Sequence, residues 1–419
     1  MTHRVHPTSI RAWLIAGCAA AGLMPALALA KPTGQPTPQP VSSPGESRPA
    51  EPVKDLASTL GPIREKHKVP ALAAAIVTLA GLDSVGAVGL RAADRTEQVQ
   101  TGDRFHLGSC TKAMTSTLIA ILIEEGVLAW DTTLAQALPD LQSTMHEKYR
   151  DVTISDLLTQ RSGVPTDLNR DGVWAELWKN EGPIQQQREK CTSAVLAWGP
   201  DHDKSRFVYS NTNFIIAGHI AERATGKSWE ELMQARLFYP LGMTTAGFGA
   251  PGTAGKYDQP VGHRGNGAAV PVGPGSDNPP ALGPAGTVHA SMEDWGKFIT
   301  LHLRGAKAAA EGGEVRVGPT AIRAETWKKL HTPVKGNGAD YAMGWGLADR
   351  PWAKGPSGDS RTLTHSGSNT MWFCVVWAAP DAGFAVLSAT NVMGDNAQRA
   401  CDQACSENIK SYLENHAGR

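Results

Sequence analysis

The sequence predicts an α/β (α+β) fold: an antiparallel sheet built from both ends of the chain, flanked by helices, with a mostly helical lobe inserted between its two parts. Near the start of the folded region, residues 71–78 form a run of small and β-branched residues, and 85–90 supply a hairpin partner across a turn at Gly81. Near the end, 371–378 and 384–390 flank Pro380-Asp381-Ala382-Gly383, a second hairpin. Between them apolar residues recur at three- and four-residue spacing, and no internal repeat is present.

Taken in order, a helix is predicted over 55–68, ahead of the first hairpin. From Lys112 onward, Met114, Leu118, Ile121 and Leu122 recur at helical spacing and Ile119 and Ile123 fill other faces, so this helix is expected to be largely buried and to stop at Gly126. Further helices are predicted over 153–159, 213–224 and 229–238, the last ended by Pro240 and Gly242. Residues 249–286 are rich in Gly, Pro and Asn without a period, an irregular excursion of the length that function often places. A helix over 292–303, capped by Ser291, and a final helix over 396–414 complete the pattern.

The 419-residue chain opens with Arg4 and Arg11, an apolar run over 12–29 and Ala28-Leu29-Ala30, an Ala-x-Ala cleavage pattern. This reads as a signal peptide over 1–30, and an exported protein, periplasmic or secreted, is expected. Ile15-Ala16-Gly17-Cys18 also resembles a lipoprotein cleavage box, although Arg11 leaves only a short apolar run before Cys18. Seven prolines among polar residues make 31–53 an extended linker, so the folded domain is expected over 54–415, with its helical lobe at about 106–285. No second apolar segment is long enough to span a bilayer, so no transmembrane anchor is expected after cleavage. Forty basic and forty acidic residues cancel and lie scattered, which removes the electrostatic basis for a nucleic-acid partner. Cys401 and Cys405 have no histidine at ligand spacing and no His-Glu-x-x-His pattern occurs, so neither a metal nor another cofactor is expected.

The chemistry centres on Phe105-His106-Leu107-Gly108-Ser109-Cys110-Thr111-Lys112, whose core is Ser-x-x-Lys. At a helix start, Ser109 and Lys112 share a face. A serine hydroxyl needs a base within hydrogen-bond reach. A lysine, with an ordinary pKa of about 10.4, serves as that base only if burial and nearby positive charge lower it by about 3 units. The same helix end offers N–H groups to a developing oxyanion. Alone, Ser-x-x-Lys is a frequent chance pattern, with Ser109 as a cap and Lys112 on the surface. Two more motifs fit the same chemistry. In Val208-Tyr209-Ser210-Asn211, good turn chemistry in its own right, a phenol can shuttle a proton and an amide can hold both a lysine and a substrate carbonyl. In Thr364-His365-Ser366-Gly367-Ser368, His365 and Ser366 are expected to point polar groups at a cleft, Gly367 to admit close backbone approach, and the Ser368 N–H to act as second oxyanion donor beside that of Ser109.

Ser-x-x-Lys, Tyr-x-Asn and His-Ser-Gly in this order resemble the penicillin-recognising serine hydrolases, the β-lactamase-like branch of class C β-lactamases, D-alanyl-D-alanine carboxypeptidases and related esterases. The resemblance spans roughly 55–415. It includes Asp156 through Pro165, Tyr209 through Phe214, Gly218, Thr225-Gly226-Lys227-Ser228, Pro240-Leu241-Gly242-Met243, Tyr341 through Leu347 and His365 through Asn369. It implies Ser109 as nucleophile, Lys112 as its activating partner, Tyr209 as proton shuttle, Asn211 as positioning residue, and His365, Ser366 and Gly367 as the wall facing substrate. Either Lys112 or Tyr209 could be the immediate base.

The implied reaction is acylation of Ser109 by an ester, an amide or a D-amino-acid peptide, followed by hydrolysis of the acyl-enzyme. The substrate is then a small molecule or a peptidoglycan peptide. His365 departs from the lysine that most β-lactamases of this family carry there, which argues against an efficient β-lactamase and leaves carboxypeptidase and esterase readings open. A histidine, with an ordinary pKa of about 6.5, holds a substrate carboxylate less firmly at neutral pH than a lysine does. A non-catalytic wall-binding or sensor protein is the rival from another class, although a binder has no use for an activated lysine. Asp167 could face the cleft and tune specificity.

Overall fold

Apolar residues at every position of 71–77, four of them alanine, let one strand be covered on both faces, and that strand lies inside the sheet. The computed structural model describes residues 52–334 and 340–416. The signal-peptide segment 1–30, Cys18, and all but the last two residues of the 31–53 linker lie outside them. Seven strands form the main sheet: β1 (Lys54–Asp55), β2 (Ala71–Thr78), β3 (Gly81–Gly89), β4 (Gly346–Asp349), β5 (Arg361–Gly367), β6 (Phe373–Ala379) and β7 (Phe384–Thr390), in the order β1-β3-β2-β7-β6-β5-β4. All neighbours run antiparallel except β1 and β3. The two ends of the chain meet where β7 pairs with β2.

Along β2 the side chains alternate between two cores. Leu72, Ala74 and Ile76 face helices α1 (Ala57–His67) and α5 (Asp395–His416), with Leu60, Ile63 and Cys401. Ala71, Ala73, Ala75 and Val77 face the larger core with α4 (Met292–Glu311) and the helical lobe. Burial on both faces explains the continuous apolar run.

Within the lobe, α2 (Thr111–Glu124) is buried at every position from Thr111 to Leu122 and packs on α3 (Asn211–Thr225). The predicted helix over 229–238 is divided: an α-helical turn at Trp229–Met233 widens into a π-turn at Gln234–Phe238. The hairpin of Glu314–Val317 with Thr320–Arg323 and the helix Ala324–His331 are absent from the sequence reading. No helix among the described residues is long and apolar enough to cross a membrane.

Of the histidines shielded from water, three are shifted furthest in pKa, and His106, His219 and His263 are buried as well. His302 on α4 shares a 2.8 Å hydrogen bond with His331 and a 3.1 Å bond with Thr117 of α2, among Trp327, Trp345 and Phe298. Burial pushes His302 well below the ordinary range, His331 down to about 3 and His289 down to about 4. The unfolded chain therefore binds more protons below about pH 6.5, so this stability is present above pH 6.5 and lost as pH falls toward 4. Each histidine is expected to cost about 2 kcal/mol between pH 6.5 and 5. Urea midpoints at pH 7 and pH 5 check this; equal midpoints would contradict it.

Candidate active site

Ser109 lies in a single 3-10 turn, Gly108–Cys110, that feeds directly into α2. The turn needs glycine twice. Gly108 has φ +46°, and a Cβ there would strike the Ser368 amide and approach the Gly367 carbonyl carbon to 2.8 Å. A Cβ on Gly367 would strike the Leu107 carbonyl oxygen and lie 3.0 Å from the Ser109 nitrogen. The backbones of 107–109 and 367–368 therefore touch without side chains between them, and the Ser109 and Ser368 amides lie side by side. The Ser368 N–H donates to no protein acceptor among the described residues. Ser109 occupies the part of a helix start where amides have no intrahelical acceptor. The pair can cradle an oxyanion.

Lys112 is fully buried, and its ammonium nitrogen has three oxygen neighbours: Ser109 Oγ at 3.1 Å, Asn211 Oδ1 at 2.8 Å and Ala285 O at 2.7 Å. Burial lowers its pKa to about 7, against an ordinary value near 10.4. A neutral amine has two N–H groups and one lone pair. Asn211 and Ala285 offer only acceptor oxygens to it, so they take the two N–H groups and leave the lone pair for the Ser109 O–H.

Asn211 is the first residue of α3. Its position is set by Ser210, which caps α3 by accepting from the Thr212 amide at 3.2 Å and donates to Pro165 O at 2.8 Å. Gln160 supports the same turn, accepting from the Ser210 amide at 3.0 Å and from Asn213 Nδ2 at 2.6 Å. The segment 156–165 is thus the floor under Tyr209 and Asn211.

The ring of Tyr209 lies 4.9 Å from Lys112 Nζ and packs edge-on to Tyr341 at 6.2 Å and near His365 at 6.2 Å. Although 38 % of Tyr209 is exposed, its surroundings push the phenol upward in pKa, opposed by a hydrogen bond with Ser109. The shift favours the neutral phenol at Tyr209 in the resting site.

On β5, His365 pairs with Val376 and Gly367 with Cys374, residues of the core that faces the lobe, whereas Ser366 pairs with Val375 on the α5 side. Strand alternation thus points the exposed Ser366 away from the face that carries Gly367 against the Ser109 turn, and a hollow that reaches Gln398 and Asp402 is lined by both His365 and Ser366. β4 reaches only as far as Thr364, so the outer edge of 365–367 is open for a substrate backbone. His365 Nδ1 donates to Ser366 O at 2.6 Å. A substrate carboxylate finds an N–H at Nε2 only when the ring is protonated. Asp167 instead accepts from the amide and side chain of Asn169 in an exposed turn. Cys110 is buried with its sulfur 3.6 Å from that of Cys374, whose thiol burial pushes well up.

Two groups at this site escaped sequence reasoning. The Ala285 carbonyl comes from the Gly283–Gly286 turn, at the end of the 249–286 excursion, and Thr115 Oγ1 donates to the neighbouring Pro284 O at 2.7 Å. Asp277, from the same excursion, accepts from His106 Nε2 at 2.8 Å.

The family described as Beta-lactamase matches residues 56–404. The chain belongs to that family of serine hydrolases. It is 27 % identical over 339 residues to Penicillin-binding protein 4 of Amycolatopsis lactamdurans, covering 78 % of this chain and 82 % of the relative. Two other curated relatives are longer, and the matches span 31 % and 61 % of their lengths. Among solved structures, a class C β-lactamase from Rhodobacter sphaeroides superposes with TM-score 0.65 at 19 % identity, over 84 % of this chain and 98 % of that one. A β-lactamase/D-alanine carboxypeptidase from Pseudomonas syringae superposes with TM-score 0.65 at 16 % identity, with the same coverage. These likenesses establish the β-lactamase-like fold.

Proposed function

We propose that this β-lactamase-family hydrolase is exported and works through an acyl-enzyme on Ser109, with an ester, amide or D-amino-acid peptide as substrate. The observation that carries this reading is the buried Lys112, 3.1 Å from Ser109 Oγ and with a pKa of about 7. Lys112 takes the serine proton as Oγ attacks the substrate carbonyl, and the Ser109 and Ser368 amides receive the oxyanion. Tyr209, still protonated, donates to the leaving alcohol or amine, and the Lys112 proton replaces the one it gave. Asn211 holds Lys112 and can meet a substrate amide. Export rests on the leader pattern over 1–30.

Within this class, a carboxypeptidase or esterase is favoured over an efficient β-lactamase because His365 stands where a fixed cation would grip a carboxylate, and because a penicillin-binding protein is a near relative. Steady-state hydrolysis of p-nitrophenyl acetate, benzylpenicillin and a peptide ending in D-alanyl-D-alanine, for the parent and Ser109→Ala, tests the proposal. The variant should lose turnover and keep ligand binding; unchanged turnover would remove Ser109 from the reaction. A protein that binds these ligands and turns none over would be a sensor.

His365→Lys is expected to raise kcat/KM for benzylpenicillin about tenfold, since a charge-assisted bond to its carboxylate adds roughly 1–2 kcal/mol, and to leave the uncharged ester unchanged. The ratio of the two kcat/KM values is the check. Equal changes for both substrates would mean that His365 does not face the carboxylate.

A further inference from the structure

We propose that Asp277 is a positioning residue that fixes the spacing of the two oxyanion amides through two arms, one to each backbone segment. The inference rests on Ser109 as nucleophile. The Asp277 side chain is 9 % exposed, and its carboxylate accepts three hydrogen bonds: from His106 Nε2 at 2.8 Å, from Asn369 Nδ2 at 2.8 Å and from the Asn278 amide at 2.7 Å. His106 and Asn369 are themselves buried.

The first arm runs through His106. Its Nδ1 accepts the Gly108 N–H at 3.1 Å, so the ring proton sits on Nε2 and points at Asp277. The carboxylate thereby selects the histidine tautomer that can hold the residue immediately before Ser109. The second arm runs through Asn369, immediately after Ser368. Asn369 Oδ1 accepts the Met371 amide at 3.2 Å and closes the loop over Thr370, whose φ of +75° is costly for a β-branched residue. A strained loop stays in place only when its surroundings over-determine it; the Ser368 hydroxyl accepts from the Thr370 amide at 2.9 Å, and Asp277 ties the loop to the 249–286 excursion through Asn369. One carboxylate from an aperiodic excursion thus braces the turn carrying the Ser109 amide and the loop carrying the Ser368 amide. Oxyanion stabilisation depends on donors held to a fraction of an ångström before reaction. Asp277 touches no reacting atom in this scheme; it acts through His106 and Asn369.

Asp277→Asn tests the proposal, because an amide has one acceptor oxygen where two arms each need one. If its NH2 faces Asn369, two donors oppose each other. If it faces His106, the ring must move its proton to Nδ1, where it meets the Gly108 N–H. The full domain is assayed with p-nitrophenyl acetate and with phenylboronic acid, which takes the Ser109 oxygen onto boron, passes the serine proton to Lys112 and forms a tetrahedral anion resembling the intermediate. Expected results are a 10- to 100-fold fall in kcat, KM within about twofold, and boronate affinity weakened in step with kcat. Histidine 15N NMR should show His106 protonated at Nε2 in the parent. Asn369→Ala, which cuts only the second arm, should lower kcat and boronate affinity in the same direction, and the double variant should be no worse than the weaker single. The proposal is overturned if Asp277→Asn keeps kcat and boronate affinity within twofold, or loses only what its folded fraction loses. Should Asp277→Asn not fold, unchanged boronate affinity in Asn369→Ala overturns it and weakened affinity supports it. Failure of the parent to form a Ser109 boronate would instead strike the nucleophile assignment.

Discussion

Lys112→Met is expected to slow acylation of Ser109 by 10²- to 10⁴-fold, the range set by losing a positioned base. Methionine nearly matches the buried stem but has no lone pair for the serine proton, and it leaves Asn211 Oδ1 and Ala285 O without their donor. In the parent, kcat/KM should rise tenfold per pH unit below about 7 and level off above it, because only the neutral amine accepts a proton. The variant should lose that limb. A stability effect accompanies it, with its sign set by linkage. Folded Lys112 releases its proton at about pH 7 and the unfolded lysine near 10.4, so between those values the unfolded state holds more protons and stability rises with pH. Over the full window the rise is roughly 5 kcal/mol, and below pH 7 the penalty for the buried charge is complete. Subtracting urea unfolding of Lys112→Met from that of the parent between pH 6 and 10 isolates this slope. A flat difference would mean that Lys112 keeps its charge on folding.

Gly367→Ala is expected to cost at least about 3 kcal/mol of stability and 10²-fold or more in turnover, a large effect for one methyl group. The added Cβ would overlap the Leu107 carbonyl oxygen and crowd the Ser109 nitrogen, and both are backbone atoms that no rotamer change can move away. Either β5 retreats or the 107–109 turn does. In both cases the Ser109 and Ser368 amides separate, and oxyanion stabilisation, worth 10² to 10³ per donor, is forfeited. Thermal melts together with burst amplitudes on an activated ester check both parts. A stable, fully active Gly367→Ala would mean that the strand and the turn have room between them.

Much of this was legible in the chain. Helix α2 could be read because its apolar residues recur at helical spacing, and that spacing alone puts Lys112 beside Ser109. The central hairpins of the sheet could be read at both ends because their strands are continuous apolar runs, rich in small and β-branched residues, between clear turns. The approach of Asn211 to Lys112, across 99 positions, had no local signature and came only through family resemblance. The Ala285 carbonyl could not be found at all, since a backbone acceptor leaves no mark in the side-chain text. Asp277 was hidden for a related reason: it sits in an aperiodic stretch whose form is decided by tertiary hydrogen bonds. Two features were available and unused. Period-two alternation along 365–367 separates Ser366 from His365 and Gly367, and Gly318-Pro319 marks the turn of the hairpin at Glu314–Val317.

The decisive measurement is intact-mass spectrometry with peptide mapping of the chain from Lys31 onward, sampled over time with benzylpenicillin and with p-nitrophenyl acetate. An acyl group on the peptide containing Ser109, formed faster as pH rises through 7 and absent in Ser109→Ala, is the expected result. Lasting penicillin adducts would add weight to the carboxypeptidase reading, and rapid loss of intact drug would assign a β-lactamase despite His365. An acyl group on any other residue, or turnover that survives Ser109→Ala, would contradict the assignment of Ser109 and Lys112 as nucleophile and base.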